Sequence, residues 1–167
     1  MSREDRLADL LDDAALCPGL NAYDAADAIR QLAARLEWLG RVRPDYARAV
    51  IAREAAMPTG LPLGAINVAI PHTDPEHVIA PAVAVATLAV PVDFASMDDP
   101  DEKLPVRVVF LLALTDKIRQ LATLRSVCAL IQDAGRLGRI AAVSDQAGLR
   151  AALSGEMLTS EIQGGTS

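Results

Sequence analysis

The sequence predicts an α/β layered domain, and three observations carry that reading. Apolar runs rich in Val, Ala and Leu occupy the centre, at 68–70, 83–90 and 106–114, each bounded by turn residues, as largely buried strands are. Helical spacing fills the chain on both sides of them. Aromatics make up only 3% of a chain that is 51% hydrophobic, so the core must be built from small aliphatics, which suits helices packed close on a sheet. A chain of 167 residues buries roughly two-thirds of its unfolded surface and needs no disulfide or metal to fold.

Taken in order, the first half reads as helical. Ser2 is placed to cap a short amphipathic segment carrying Leu7, Leu10 and Leu11, which ends before Cys17, Pro18 and Gly19. Asn21 or Asp24 caps the next helix. There Ala25, Ala28, Ile29, Leu32, Leu36 and Leu39 recur on one face, and Gly40 closes it. Pro44 opens a third helix over 45–56, stopped by Pro58, Gly60 and Pro62. The strands follow, the first ended by Pro71. The segment 96–103 between the last two reads as an exposed acidic loop. Thr115 or Asp116 then caps a helix with Leu121, Leu124, Val127, Cys128 and Ile131 on one face, and two short helices follow over 137–142 and 145–153. The domain is expected over 1–160, with 161–167 a flexible tail ending in Gly164, Gly165, Thr166 and Ser167.

Charge and cysteines remove several function classes. A net charge of −6 is the wrong sign for a phosphate-backbone binder, so no nucleic acid partner is expected. Cys17 and Cys128 form no CxxC pair, and with the two histidines they show no zinc-ligand spacing, so no zinc is expected. The charged N-terminus has no apolar run behind it, and 78–92 is too short to span a bilayer. A cytoplasmic protein without membrane insertion, in a reducing compartment, is the simplest reading.

The segment 53–77 carries the chemistry: REAAMPTGLPLGAINVAIPHTDPEH. His72 follows a strand and Pro71, whose ring fixes the backbone before the imidazole. Strand ends in α/β sheets are where reactive groups gather. An imidazole neutral near pH 7 is a competent nucleophile toward phosphorus. Alone, such a histidine equally fits a surface residue closing a strand. Arg53 fits either half of a surface ion pair or a guanidinium that grips phosphate in two places. Thr59 and Gly60 offer a hydroxyl and an amide at a turn. There is no P-loop and no GxGxxG, and no serine is placed for a hydrolytic triad.

Arg53 and Glu54, then Pro58, Thr59 and Gly60, then Val68, Ala69, Ile70, Pro71 and His72 together resemble enzyme IIA of the bacterial sugar phosphotransferase system, of the fructose/mannitol type. IAREAAMPTG and VAIPHTDPEH look most like the galactitol-type members, and the resemblance runs from about Asp24 to Leu153. It implies a three-layer fold, a mixed sheet with helices on both faces. It implies that His72 takes a phosphoryl group from the phosphocarrier HPr and passes it to a cysteine of enzyme IIB during uptake of a sugar or polyol. It maps the phosphate-pairing arginine onto Arg53 and implies no metal or organic cofactor; the Thr59 hydroxyl, suited to phosphate oxygens, is the second expected phosphate-binding group. Many members carry a second histidine where this chain has Gln120, as the galactitol pattern does. Gln120 is the expected neighbour of His72, with His77 on the rim. Because both partners are proteins, the site is expected to be shallow and partly apolar, with Leu61, Leu63, Val78 and Ile79 as rim candidates. The rival reading is a nitrogen-type regulatory paralogue that reports its phosphorylation state to other proteins.

Overall fold

The computed structural model describes residues 6–155. Strand β1 (Leu11–Leu20) comes first, after a 3-10 turn at Leu7–Leu10, and then helices α1 (Ala25–Trp38) and α2 (Tyr46–Ala56). Two short strands follow, β2 (Gly60–Leu61) and β3 (Asn67–Ala69), and then the long pair β4 (Ala82–Ala95) and β5 (Lys103–Ala113). Helices α3 (Lys117–Ile131), α4 (Ala134–Ala142) and α5 (Gln146–Ser154) complete it. Asp24, Asp116, Asp133 and Asp145 each accept an amide from the first turn of the helix they precede, which fixes where α1, α3, α4 and α5 begin. Gly40, at φ 73°, follows α1 in the left-handed conformation that ends a helix cheaply only for glycine.

The five strands form one mixed sheet in the order β1-β4-β5-β3-β2. β1 runs parallel to β4 and β3 parallel to β5, while the β4–β5 and β2–β3 pairs are antiparallel. Alternation along the central strands divides the core between two faces. Ala84, Ala86, Val109 and Leu111 pack with Ile29, Leu32, Leu36, Tyr46 and Val50 from α1 and α2. Val83, Val85, Val108, Phe110 and Leu112 pack with Val127, Ile131, Leu137, Ile140 and Leu149 from α3, α4 and α5. The alanines of β4 let α1 lie close, as the small-residue composition requires. The three-layer architecture and mixed sheet are as the resemblance implied.

The N-terminal segment differs from the sequence reading. Residues 11–20 form an edge strand and continue no helix. Leu7, Leu10 and Leu11 are all buried, but in a 3-10 turn and the strand behind it. Pro18 is tolerated because an edge strand need not donate on its outer side. The edge is covered from α5: Gln146 donates to the carbonyls of Asp13 and Leu16, and Arg150 binds the Asp13 carboxylate at 2.6 Å. β4 runs past Pro91 to Ala95, with Pro91 inside a register shift between Thr87 and Val92. Ser96, expected in an exposed loop, is fully buried. On α3, Leu121 is 48% exposed, and Thr123 and Leu130 take the inward positions beside Val127 and Ile131. The proposed Ser2 cap and the 161–167 tail lie outside the described residues.

Candidate functional site

β3 and β5 are parallel, so their C-terminal ends share one end of the sheet. The chain leaves β3 through Ile70 and Pro71 to His72, which bridges Leu112 near the end of β5; the Leu112 amide donates to the Pro71 carbonyl at 3.1 Å. β5 then leads into α3, whose first turn carries Gln120. The Gln120 side-chain Nε2 donates to the Thr73 carbonyl at 3.0 Å, so α3 begins beside the residue that follows His72. Helix α2 approaches from the other face. Tyr46, Val50 and Arg53 lie on one stripe of it, and the Tyr46 hydroxyl donates to the Leu112 carbonyl at 2.6 Å. Two turns along that stripe, Arg53 reaches Asp74 at 3.5 Å. His72, Arg53 and Gln120, far apart in sequence, are thus gathered at one sheet end.

The half-buried His72 ring is held by a bond that determines its tautomer. Its Nδ1 lies 2.8 Å from the Ile70 carbonyl oxygen. A carbonyl can only accept, so Nδ1 carries the hydrogen and Nε2 carries the lone pair. Burial lowers the pKa of His72 most; the Ile70 carbonyl raises it, the Arg53 charge lowers it and the Asp74 charge raises it, for a net lowering. The ring is therefore neutral at pH 7. Protonation would consume the Nε2 lone pair, so, for a ring that accepts a phosphoryl group, acceptance should persist as the pH falls through about 6.5, the ordinary imidazole value, and fail only below it. A titration of the His72 ring by NMR, run beside the acceptance rate, checks this; a midpoint above 6.5 would contradict it.

The Arg53–Asp74 contact is long, and both side chains are partly exposed, so it holds on the order of 0–1 kcal/mol and is readily exchanged. A guanidinium so held could exchange Asp74 for another anion beside the His72 ring and bind it through two parallel bonds.

Thr59, the expected second phosphate donor, is engaged within its own loop. Its amide and hydroxyl donate to the Glu54 carboxylate at 2.9 and 2.8 Å, and its oxygen accepts the Ile70 amide at 3.1 Å. In this arrangement it builds the loop beneath His72. His77 is likewise engaged: Nδ1 lies 3.1 Å from Asp45 and Nε2 3.5 Å from Glu76. The carbonyls of His77 and Glu76 accept from Arg43, and Val78 bridges Val42, which fastens the 73–79 loop to the start of α2. Of the rim candidates, Leu63 and Ile79 are exposed, whereas Val78 is buried and Leu61 packs against the core. Ile118 is 83% exposed and flanks Gln120 with Leu121, and Met57 is exposed just past the helix that carries Arg53. Sequence reasoning missed Ile118 and Met57 as rim residues. The signal for Ile118 lay in its place two residues before Gln120.

Comparison with known proteins agrees with this geometry. The family described as "Phosphoenolpyruvate-dependent sugar phosphotransferase system, EIIA 2" matches residues 10–155. The galactitol-specific EIIA component of Escherichia coli K12 is 29% identical over 114 residues, covering 68% of this chain and 75% of that one. Among solved structures, a putative PTS IIA (PtxA) from Streptococcus mutans superposes with a TM-score of 0.71 at 25% identity, over 86% of this chain and 89% of that one. The mannitol enzyme IIA of Escherichia coli, solved in complex with phosphorylated enzyme IIB, superposes with a TM-score of 0.70 at 23% identity, over 87% and 99%. Among the described residues no helix is long and apolar enough to cross a membrane. A match spanning 10–155, on a mixed sheet that carries the Ile-Pro-His strand end, places this chain in the EIIA 2 family of the phosphoenolpyruvate-dependent sugar phosphotransferase system.

Proposed function

We propose that His72 is the phosphoryl-carrying residue, that it is loaded in the cytoplasm by phospho-HPr, and that it discharges to a cysteine of enzyme IIB during uptake of a galactitol-like sugar or polyol. The observation that carries this is the bond from His72 Nδ1 to the Ile70 carbonyl, which leaves Nε2 as the nucleophile. The Nε2 lone pair attacks phosphorus as the phosphorus–nitrogen bond of the donor breaks, and that electron pair returns to the donor imidazole. Charge on the equatorial oxygens during transfer is met by Arg53 and by the donors at the start of α3. The Gln120 amide, now on the Thr73 carbonyl, is a neutral donor close at hand.

The apolar rim supports a protein as the partner. Ile79, Met57, Ile118 and Leu121 are exposed, and side chains of this kind suit a surface visited in turn by two proteins; Leu63 is exposed too but lies by Asn67 at the other end of β3. The Escherichia coli mannitol relative, solved with phosphorylated enzyme IIB, supports enzyme IIB as one of them. The galactitol-specific relatives at 29% identity and the Gln at position 120 favour sugar uptake over the nitrogen-type regulatory role. Incubation with phosphoenolpyruvate, enzyme I and HPr, followed by intact mass, tests the carrier role; no gain of a phosphoryl mass would reject it. Adding the cognate enzyme IIB then separates transport from regulation, since a regulatory paralogue would keep its phosphoryl group.

The two neighbours of His72 should differ in weight. Gln120→Ala removes the side chain that joins α3 to Thr73 and is expected to slow transfer to enzyme IIB more than His77→Ala does. His77 faces Asp45 and Glu76, two carboxylates that a phosphate would avoid. Single-turnover rates of the two variants decide it; a larger loss for His77→Ala would reverse the assignment.

A further inference from the structure

Besides the groups that face a phosphoryl group, the site contains a carboxylate beneath it that the transfer chemistry does not use. Glu54 sits beside Arg53 on α2 but is turned away from it. Its Oε1 accepts the Thr59 amide at 2.9 Å and its Oε2 accepts the Thr59 hydroxyl at 2.8 Å. With its hydrogen committed to Glu54, the Thr59 oxygen presents a lone pair to the Ile70 amide, 3.1 Å away. The other end of Ile70 is its carbonyl, on which His72 Nδ1 rests at 2.8 Å. Four residues are therefore joined in one direction: carboxylate, hydroxyl, main chain of residue 70, imidazole.

The reason for this arrangement lies in the sheet. β2 is only two residues long, and its pairing with β3 ends at Gly60 opposite Ala69. The next amide, that of Ile70, has passed the end of that short ladder, and Pro71 has no amide to offer. Thr59 replaces the missing rung with a side chain. Gly60 must follow it, because a Cβ there would lie 2.5 Å from the Ala95 carbonyl oxygen. The segment carrying the nucleophile is thus held at one point by β5, through the Leu112 amide on Pro71, and at the other by Glu54 through Thr59.

We propose that Glu54 is a positioning residue for the phosphoryl transfer: through Thr59 it fixes the orientation of Ile70, whose carbonyl holds His72 as the Nδ1–H tautomer with Nε2 free. Ionised Glu54 accepts twice, which forces Thr59 to donate twice and leaves its oxygen as acceptor for Ile70. A glutamine there has one accepting oxygen for two donors, and a valine at position 59 has neither hydroxyl nor lone pair. The carboxylate serves this purpose at some expense, since burial raises the pKa of Glu54 against the lowering effect of the Thr59 bonds. This inference rests on the reading of His72 as the carrier, but its principal test does not.

The test is the tautomeric state of His72, read from the imidazole 15N shifts of the unphosphorylated protein at pH 8, with melting temperatures measured in parallel. The native protein should show Nδ1 protonated and Nε2 bare. Thr59→Val and Glu54→Gln should both move the His72 ring toward a mixture of tautomers, while Thr59→Ser, which keeps the hydroxyl, should restore the native pattern. Transfer from phospho-HPr should fall roughly 2- to 10-fold in the first two variants, the range for one lost hydrogen bond, with Thr59→Ser near native. Native tautomer shifts in both Thr59→Val and Glu54→Gln would overturn the proposal, whatever their melting temperatures. A native protein with bare Nε2 that takes no phosphoryl group would instead reject the carrier reading, and the positioning of the ring would stand.

Discussion

His72→Gln should gain no phosphoryl mass when incubated with phosphoenolpyruvate, enzyme I and HPr, while the native chain gains one. The effect is all-or-none because the glutamine amide has no lone pair at nitrogen to attack phosphorus. The variant should still fold. The His72 side chain makes one hydrogen bond, to the Ile70 carbonyl, worth about 1 kcal/mol against the roughly 5–15 kcal/mol that holds a domain of this kind. The backbone pairing with Leu112 remains, since it uses only main-chain atoms. A native-like melting curve with no mass gain is the expected result. The native phosphoryl group should be acid-labile and base-stable, as a phosphoramidate is. Undiminished phosphorylation of the variant would move the nucleophile elsewhere.

Arg53→Lys should remain folded and should slow discharge to enzyme IIB by about 1–3 kcal/mol in the barrier, roughly 5- to 150-fold. Arg53 is partly exposed, and its pairing with Asp74 at 3.5 Å would survive as a lysine contact. What lysine cannot supply is the planar fork that grips two phosphate oxygens at once as their charge grows during transfer. Rapid-quench measurement of transfer is the check. A rate equal to the native one would leave Arg53 as the surface partner of Asp74 and nothing more.

The sequence showed the central strands because β-branched runs between turn residues have little else to become. β4 and β5 appear as 83–90 and 106–114, and the structure extends each by a few residues. It showed α1 and α3 through their caps and apolar stripes, and α2 through Pro44 before it and Pro58, Gly60 and Pro62 after it. β1 was hidden by its own composition: Leu7, Leu10 and Leu11 are spaced like a helix, Asp12 and Asp13 look solvated, and Pro18 with Gly19 looks like a stop. Its identity as a strand comes from parallel pairing with β4, a partner that no local window contains. β2 is too short to leave any pattern. In the site, His72 and Arg53 were legible as residue types in an order. The double role of Thr59 was not, because donor and acceptor duties at one hydroxyl depend on where Glu54 and Ile70 lie in space. Nor was the engagement of His77 by Asp45, which depends on the 73–79 loop lying against the start of α2.

The strand order β1-β4-β5-β3-β2 also has a kinetic consequence. Only the β4–β5 and β2–β3 pairs are sequence neighbours. β1 meets β4 across two helices and two short strands, β3 meets β5 across the whole of β4, and Gln146 reaches the carbonyl of Asp13 from 133 positions away. Closing such long loops costs entropy before any contact repays it, so topologies of this kind fold more slowly than those made of local contacts. The β4–β5 hairpin, joined by a short connection, is the natural early pair, and β3 docks onto it later. The reactive imidazole takes its working orientation only at that docking, when Leu112 receives Pro71 and α3 is present to meet Thr73. A nascent chain still lacking α3 therefore carries the histidine without its completed surroundings. On the reading of His72 as the carrier, competence to accept a phosphoryl group would accordingly require finished tertiary assembly.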